Sequence, residues 1–165
     1  MAPDSKTFKS VLSHFASGVT VVTTRDGERL HGVTVSAFSS VSAAPPRVLV
    51  CLGNDTDTKP LVERSGVFAV HILGRQHVAL GPRFAKMGAV PADLFEGLST
   101  RTEVTGSPIL SECLAWLDCR VETALGVGDH VIFVGAVEAA GLSGAGEPVL
   151  YYSRAFRALD PEPVL

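Results

Sequence analysis

Charge is scarce in this chain and cysteine scarcer. Of 165 residues, 19% are charged, with 14 Lys+Arg against 17 Asp+Glu for a formal net charge of -3. There is no basic excess to neutralise a phosphate backbone and no predominantly basic segment, which argues against nucleic-acid binding. The longest apolar run, around Val131 to Val137, falls far short of the ~20 residues of a membrane-spanning helix. The start, Met1-Ala2-Pro3-Asp4-Ser5, lacks the pattern of a secretory signal, so the expectation is a soluble, cytoplasmic protein without a membrane partner. Cys51, Cys113 and Cys119 are odd in number, show no C-x-x-C spacing and sit in apolar runs, which predicts reduced, buried thiols rather than disulfides or structural zinc.

The familiar catalytic signatures are also missing: no H-E-x-x-H, no G-x-x-x-x-G-K-[ST] and no G-x-S-x-G. Gly126-Val127-Gly128 has Val131 where a dinucleotide fingerprint needs its third glycine, and it opens a strand instead of a helix. His14, His31, His71, His77 and His130 are never paired at helical spacing or set beside a cysteine cluster, so no metal site is expected.

What is present is 46% hydrophobic residues, enough for the core of one domain spanning 1–165, with its core over about 8–159. Phe8, Val11, Leu12 and Phe15 recur at helical spacing and predict a helix over Ser5–Ser17 that packs one stripe on a neighbour and stops at Gly18. Val19 to Thr24 and Leu30 to Val35 around Asp26-Gly27 read as a hairpin. Arg47 to Leu52 and Val67 to Ile72 read as strands, with a short helix between them through Leu61 and Val62 that stops at Gly66. Residues 76–106, rich in glycine and proline, read as one short helix plus loops forming a surface or lid. In the last third, Ala115, Leu117, Cys119 and Val121 alternate with a more polar Trp116, Asp118, Arg120 and Glu122. Trp116 reads as a core or dimer-interface aromatic. Val131 to Val137 is apolar on both faces, as in a strand covered on both sides, and Pro148 to Tyr152 reads as a final strand. Six or seven strands with two or three peripheral helices and no β-α alternation predict a mainly β, antiparallel barrel.

Two hydroxyl-rich segments stand out. Gly32-Val33-Thr34-Val35-Ser36-Ala37-Phe38-Ser39-Ser40-Val41-Ser42 begins as a strand and crowds four serines and a threonine around one phenylalanine, which suits a planar polar heterocycle with a ribityl chain and phosphate; a strand end and turn accounts for the same residues. Asn54-Asp55-Thr56-Asp57-Thr58, before the helix at Leu61, offers amides and hydroxyls to a phosphate, or serves as an ordinary cap and Asx turn.

Phe15 to Thr23, Gly32 to Ser42, Pro45 to Cys51, Phe68 to Leu73, Arg83-Phe84, Gly128 to Gly135 and Pro148 to Tyr152 resemble, in order and spacing, successive blocks of the short flavin reductase family. These are the reductase components of two-component flavin-dependent monooxygenases. The resemblance covers Phe8 to Leu159. It implies an FMN-binding split β-barrel, usually a homodimer, that oxidises NADH or NADPH and reduces FMN or FAD. Carried over by position, Thr34, Val35, Ser36, Ala37, Phe38, Ser39, Ser40 and Cys51 would line the flavin ring and ribityl chain. Asn54, Asp55, Thr56 and Thr58, with Arg83, Phe84, Ala85 and Lys86, would hold the phosphate end. Asp129 and His130, with Tyr152, Arg154 and Phe156, would receive the nicotinamide, His130 positioning it for hydride transfer. Two departures stand out: Asp55 and Asp57 bring negative charge to the phosphate end, which Arg83 and Lys86 must offset unless the phosphate sits elsewhere, and Phe156 stands where a tyrosine is expected.

Such chemistry explains the absent signatures, because hydride passes between two cofactors and the protein supplies orientation instead of a nucleophile. Three functions compete: a reductase that releases reduced flavin to a separate monooxygenase, a flavin enzyme passing electrons to a ferric chelate or corrinoid, and a carrier or sensor without turnover.

Overall fold

The computed structural model describes residues 2–159. Asp4 caps α1 (Ser5–Leu12) by accepting from the Thr7 N–H at 2.7 Å. The helix ends five residues before the expected Ser17, because the chain is drawn into β1 (Ser17–Gly18), which pairs with β11 (Val149–Tyr152), near the other end of the chain. The Ser153 N–H also takes the Ser13 carbonyl at 2.9 Å. Contrary to expectation, the apolar stripe is not buried: Phe8, Val11, Leu12 and Phe15 are between 52% and 76% exposed.

The hairpin of β2 (Thr20–Asp26) and β3 (Arg29–Val35) closes on Gly27-Glu28, where a φ of +62° at Gly27 suits a two-residue loop. There follow β4 (Phe38–Ala43), β5 (Pro46–Gly53), α2 (Thr58–Ser65) stopped at left-handed Gly66, and β6 (Val67–Ile72). Residues 75–110 contribute a 3₁₀ turn at Arg75–His77, α3 (Leu80–Phe84) and the ribbon of β7 (Thr100–Thr102) and β8 (Pro108–Leu110). The long hairpin of β9 (Ala115–Val127) and β10 (His130–Leu142) precedes β11 and β12 (Ala155–Ala158). Among the described residues, twelve strands therefore replace the six or seven expected. The additional ones run two to six residues, in glycine-, proline- or serine-rich stretches that carry no clear apolar alternation.

Seven strands form one antiparallel sheet in the order β3-β2-β6-β9-β10-β5-β4. It curls, since Val35, Val22, Val70, Cys119, Phe133, Val50 and Leu52, from six of its strands, share one buried cluster. Its outer strands β3 and β4 are joined only through Ser36-Ala37, which leaves a split between β3 and β5. A second cluster, including Val21, Leu73, Leu80, Phe84, Phe95 and Leu110, covers the other face of β2; the glycine-rich segment is thus a packed outer layer. It also buries the first half of the β9 face read as polar, Trp116 and Asp118, while Arg120 and Glu122 stay exposed. Trp116 lies under the Arg101 guanidinium, 5.0 Å from the ring centre, and buried Asp118 accepts from the Thr105 N–H at 2.8 Å and from its hydroxyl. Along β10, Val131, Phe133 and Gly135 face the core, whereas Ile132, Val134 and Ala136 are only half-buried; a single chain does not cover both faces. Of the cysteines, Cys113 and Cys119 are buried and Cys51 is half-buried, all as free thiols. No helix among the described residues is long and apolar enough to cross a membrane.

Candidate functional site

The split between β3 and β5 opens into a cleft of about 220 Å³ lined by Val33 to Ala37, Cys51 to Gly53, Asp55, Thr56 and His130. A second space of about 170 Å³ shares Val33, Asp55 and Thr56 with it and continues to His31, Asp57, Thr58, Phe84, Ala85 and Lys86. A third, of about 400 Å³, shares Ser36 and Ala37 and runs under α1 to Lys9, Leu12, Phe15, Tyr152 and Arg154. Together they form one groove with an apolar and hydroxyl-lined middle and cations near both ends.

Each part is positioned by local rules. Alternation along β3 sends Leu30, Gly32 and Thr34 toward α3, where a Cβ on Gly32 would lie 2.8 Å from the Phe84 ring, and it sends His31, Val33 and Val35 to the other face. Gly53 ends β5 at the cleft, where a Cβ would stand 2.8 Å from Asp55 Oδ1 and 3.8 Å from His130 Nε2, so glycine keeps this wall open. The β9–β10 turn is Gly128-Asp129, with a φ of +59° at Gly128. Asn54 clamps it, its N–H donating to the Asp129 carbonyl at 2.9 Å and its side-chain amide to the Gly128 carbonyl at 3.4 Å.

His130 Nδ1 donates to Asp129 Oδ1 at 2.7 Å, since a carboxylate only accepts, and this leaves Nε2 toward the cleft. The same bond holds the Asp129 carboxyl below its ordinary range. At the other end, the Lys86 ammonium meets Asp57 Oδ2 at 2.5 Å and keeps that carboxyl ionised well below its usual value. His31 Nε2 is 4.0 Å from the same oxygen, and His31 Nδ1 shares a 2.7 Å hydrogen bond with buried Thr58. Burial first, then Lys86, pushes the His31 pKa down and favours the neutral ring. Burial likewise raises the Cys51 thiol, leaving it a neutral wall of the cleft.

The structure brings together Thr34, Val35, Ser36, Ala37, Cys51, Asp55, Thr56, Thr58, Ala85, Lys86 and His130, with Tyr152 and Arg154 in the adjoining recess. Others lie elsewhere. Phe38 packs on the main core, while Ser39 and Ser40 belong to the outer strand β4. The Arg83 guanidinium is occupied by the Leu94 carbonyl at 2.8 Å and the Glu96 carbonyl at 2.5 Å, so Lys86 alone offsets Asp57. Phe84 is core, touching the groove by one edge, and Phe156 stacks edge-on with Tyr151 at 5.4 Å and covers Gly81. The Thr34 hydroxyl donates to the Gly81 carbonyl at 2.6 Å, so its one proton is not available to a ligand. Sequence reasoning missed His31, Gly53 and Lys9. Period-two extension from Val33 back along β3 reaches His31, but nothing local marks Gly53 or Lys9.

A family model described as the flavin reductase like domain matches residues 12–160. The chain belongs to the flavin reductase-like family. It is 39% identical over 158 residues, covering 96% of this chain and 83% of the relative, to the reductase component of the Rhodococcus opacus 4-nitrophenol 4-monooxygenase/4-nitrocatechol 2-monooxygenase. It is 34% identical to the FMN reductase (NADH) RutF 1 of Methylorubrum extorquens, covering 97% of this chain and 79% of that one. The solved structure of the flavin reductase PheA2 in its native state superposes with a TM-score of 0.88 at 32% identity, over 96% of this chain and 99% of that one. The groove between β3 and β5 is therefore the split of a flavin reductase barrel. Its donor set suits a flavin: apolar walls for a ring, neutral hydroxyls along its length, and an ammonium at one end for a phosphate.

Proposed function

We propose that this single domain is an NADH-dependent flavin reductase that passes hydride from nicotinamide C4 to flavin N5 and releases the reduced flavin, FMN or FAD, to a separate flavin-dependent monooxygenase. The observation that carries the reading is the continuous groove from His130 to Lys86 along the split of a chain in this family. Val33, Val35, Ser36 and Ala37 on one side and Cys51, Leu52 and Gly53 on the other hold the ring. Lys86, with Thr56 and Ala85 beside it, takes the phosphate end, while the buried Thr58 hydroxyl is held by His31. His130, oriented through Asp129, positions the nicotinamide, whose dinucleotide lies in the recess of Tyr152 and Arg154. Arg154 is offered by a two-residue turn in which it and Ser153 both have positive φ, 61° and 48°, a strained geometry held by the Ser153–Ser13 hydrogen bond. The flavin supplies the redox chemistry when bound; the protein orients and covers it. The free thiols fit a cytoplasmic enzyme.

The decisive experiment follows NADH oxidation by purified protein as FMN or FAD rises from substoichiometric to large excess. The rate is expected to climb and saturate with added flavin, with little flavin bound on purification. Tightly bound flavin that turns over without responding to added flavin would instead make it a prosthetic group, and flavin binding without NADH oxidation would leave a carrier or sensor.

The proposal includes a homodimer. The exposed stripe of α1, with Leu125 and Val127 exposed on the β9–β10 ribbon, leaves apolar surface of the kind a two-fold partner covers. Sedimentation at micromolar protein is expected to give twice the 17.3 kDa chain mass; the mass of one chain would overturn the dimer.

A further inference from the structure

The Lys86 end of the groove contains a contradiction: the ammonium that lines this space already holds a carboxylate. Asp57 stands at the N-cap of α2, where an aspartate ordinarily accepts from the first helical N–H groups, yet its side chain makes no capping bond. It turns into the groove and meets Lys86 at 2.5 Å. It also lies 4.0 Å from His31, whose ring is fixed by its bond to buried Thr58. Lys86, at the end of α3, has a φ of +53°, a conformation uncommon outside glycine and asparagine, so backbone geometry aims the ammonium at this spot.

We infer that Asp57 is an internal competitor for the flavin phosphate, occupying Lys86 in the empty groove and selectively weakening the hold on phosphorylated flavins. A phosphate arriving at Lys86 must displace the carboxylate or bind beside it, and either way one negative charge opposes another within a few ångströms. Asp57 then acts as an affinity-setting residue, favouring a flavin that arrives and leaves over one that stays. This rests on the flavin reading above.

Binding in the absence of NADH tests it, with flavin fluorescence as the readout and riboflavin, which lacks the phosphate, beside FMN. Asp57→Asn is expected to tighten FMN binding about tenfold at low ionic strength, with riboflavin changed less than about twofold and the gain shrinking as salt is raised. Lys86→Gln is expected to weaken FMN about as much, again sparing riboflavin. An unchanged or weaker FMN affinity in Asp57→Asn overturns the inference, as does an equal gain for riboflavin, which would point to altered packing instead of charge. If the unaltered protein binds neither flavin, the flavin reading itself fails and this inference with it.

Discussion

Replacing His130 with alanine is expected to lower kcat/KM for NADH by about 10- to 100-fold while changing flavin affinity less than about threefold, the range associated with losing one orienting hydrogen bond. The argument rests on asymmetry around the ring. Nδ1 donates to Asp129 at 2.7 Å, and Asn54 holds the Gly128-Asp129 turn from the end of β5. The imidazole is thus tethered on one side and presents Nε2 to the cleft on the other, as an acceptor when the ring is neutral. A carboxamide N–H would find such a partner there, and the residues proposed to hold the flavin are chiefly others. Steady-state kinetics with NADH varied at saturating flavin, alongside direct flavin binding, separates the two effects. Unchanged kcat/KM in a folded His130→Ala protein would remove His130 from the mechanism.

His71→Leu is expected to destabilise the fold by about 2–4 kcal/mol at neutral pH and to flatten its response to acid. His71 is fully buried in β6. The Leu110 N–H can only donate, so Nε2 accepts it at 3.0 Å and Nδ1 carries the proton donated to the Val21 carbonyl at 3.0 Å. One side chain thereby ties β2, β6 and β8 together, and leucine would leave a buried N–H without its partner. Burial lowers the His71 pKa from 6.5 to about 4. Because the folded-state value lies below the unfolded one, the unfolded chain takes up the proton first. The stabilisation is complete above pH 6.5 and falls away toward pH 4, by about 3 kcal/mol at 1.4 kcal/mol per pH unit. Urea unfolding midpoints measured between pH 7 and pH 4 check this. A His71→Leu protein with the same acid slope as the unaltered chain would place the pH dependence elsewhere, in His31 and His77, both also lowered by burial, and in the lowered carboxyls of Asp57, Asp129 and Glu122.

The roles proposed for Asp57 and His130 fall in different parts of one groove, so variants at the two positions are expected to affect flavin binding and NADH turnover separately.

The β-branched run of Val19 to Thr24, the apolar Val67 to Ile72, the stop at Gly66 and the order of the motif blocks were enough to identify the antiparallel barrel and its family. These features are legible because alternation, turn glycines and left-handed stops are local, acting within a few residues. The position of His130 beside a two-residue turn is of the same kind. Tertiary structure alone decided which donors are free. Thr34 is consumed by Gly81, 47 residues away, and Arg83 by the carbonyls of Leu94 and Glu96. It also decided that Asp118 and Trp116 are buried, because β7, β8 and residues 105–107 lie over a face of β9 whose composition reads as polar. The meeting of His31, Asp57 and Lys86 brings together β3, the start of α2 and the end of α3. No periodicity reports such a meeting, because it depends on which strands become neighbours when the sheet curls and on how far apart its two edges come to rest.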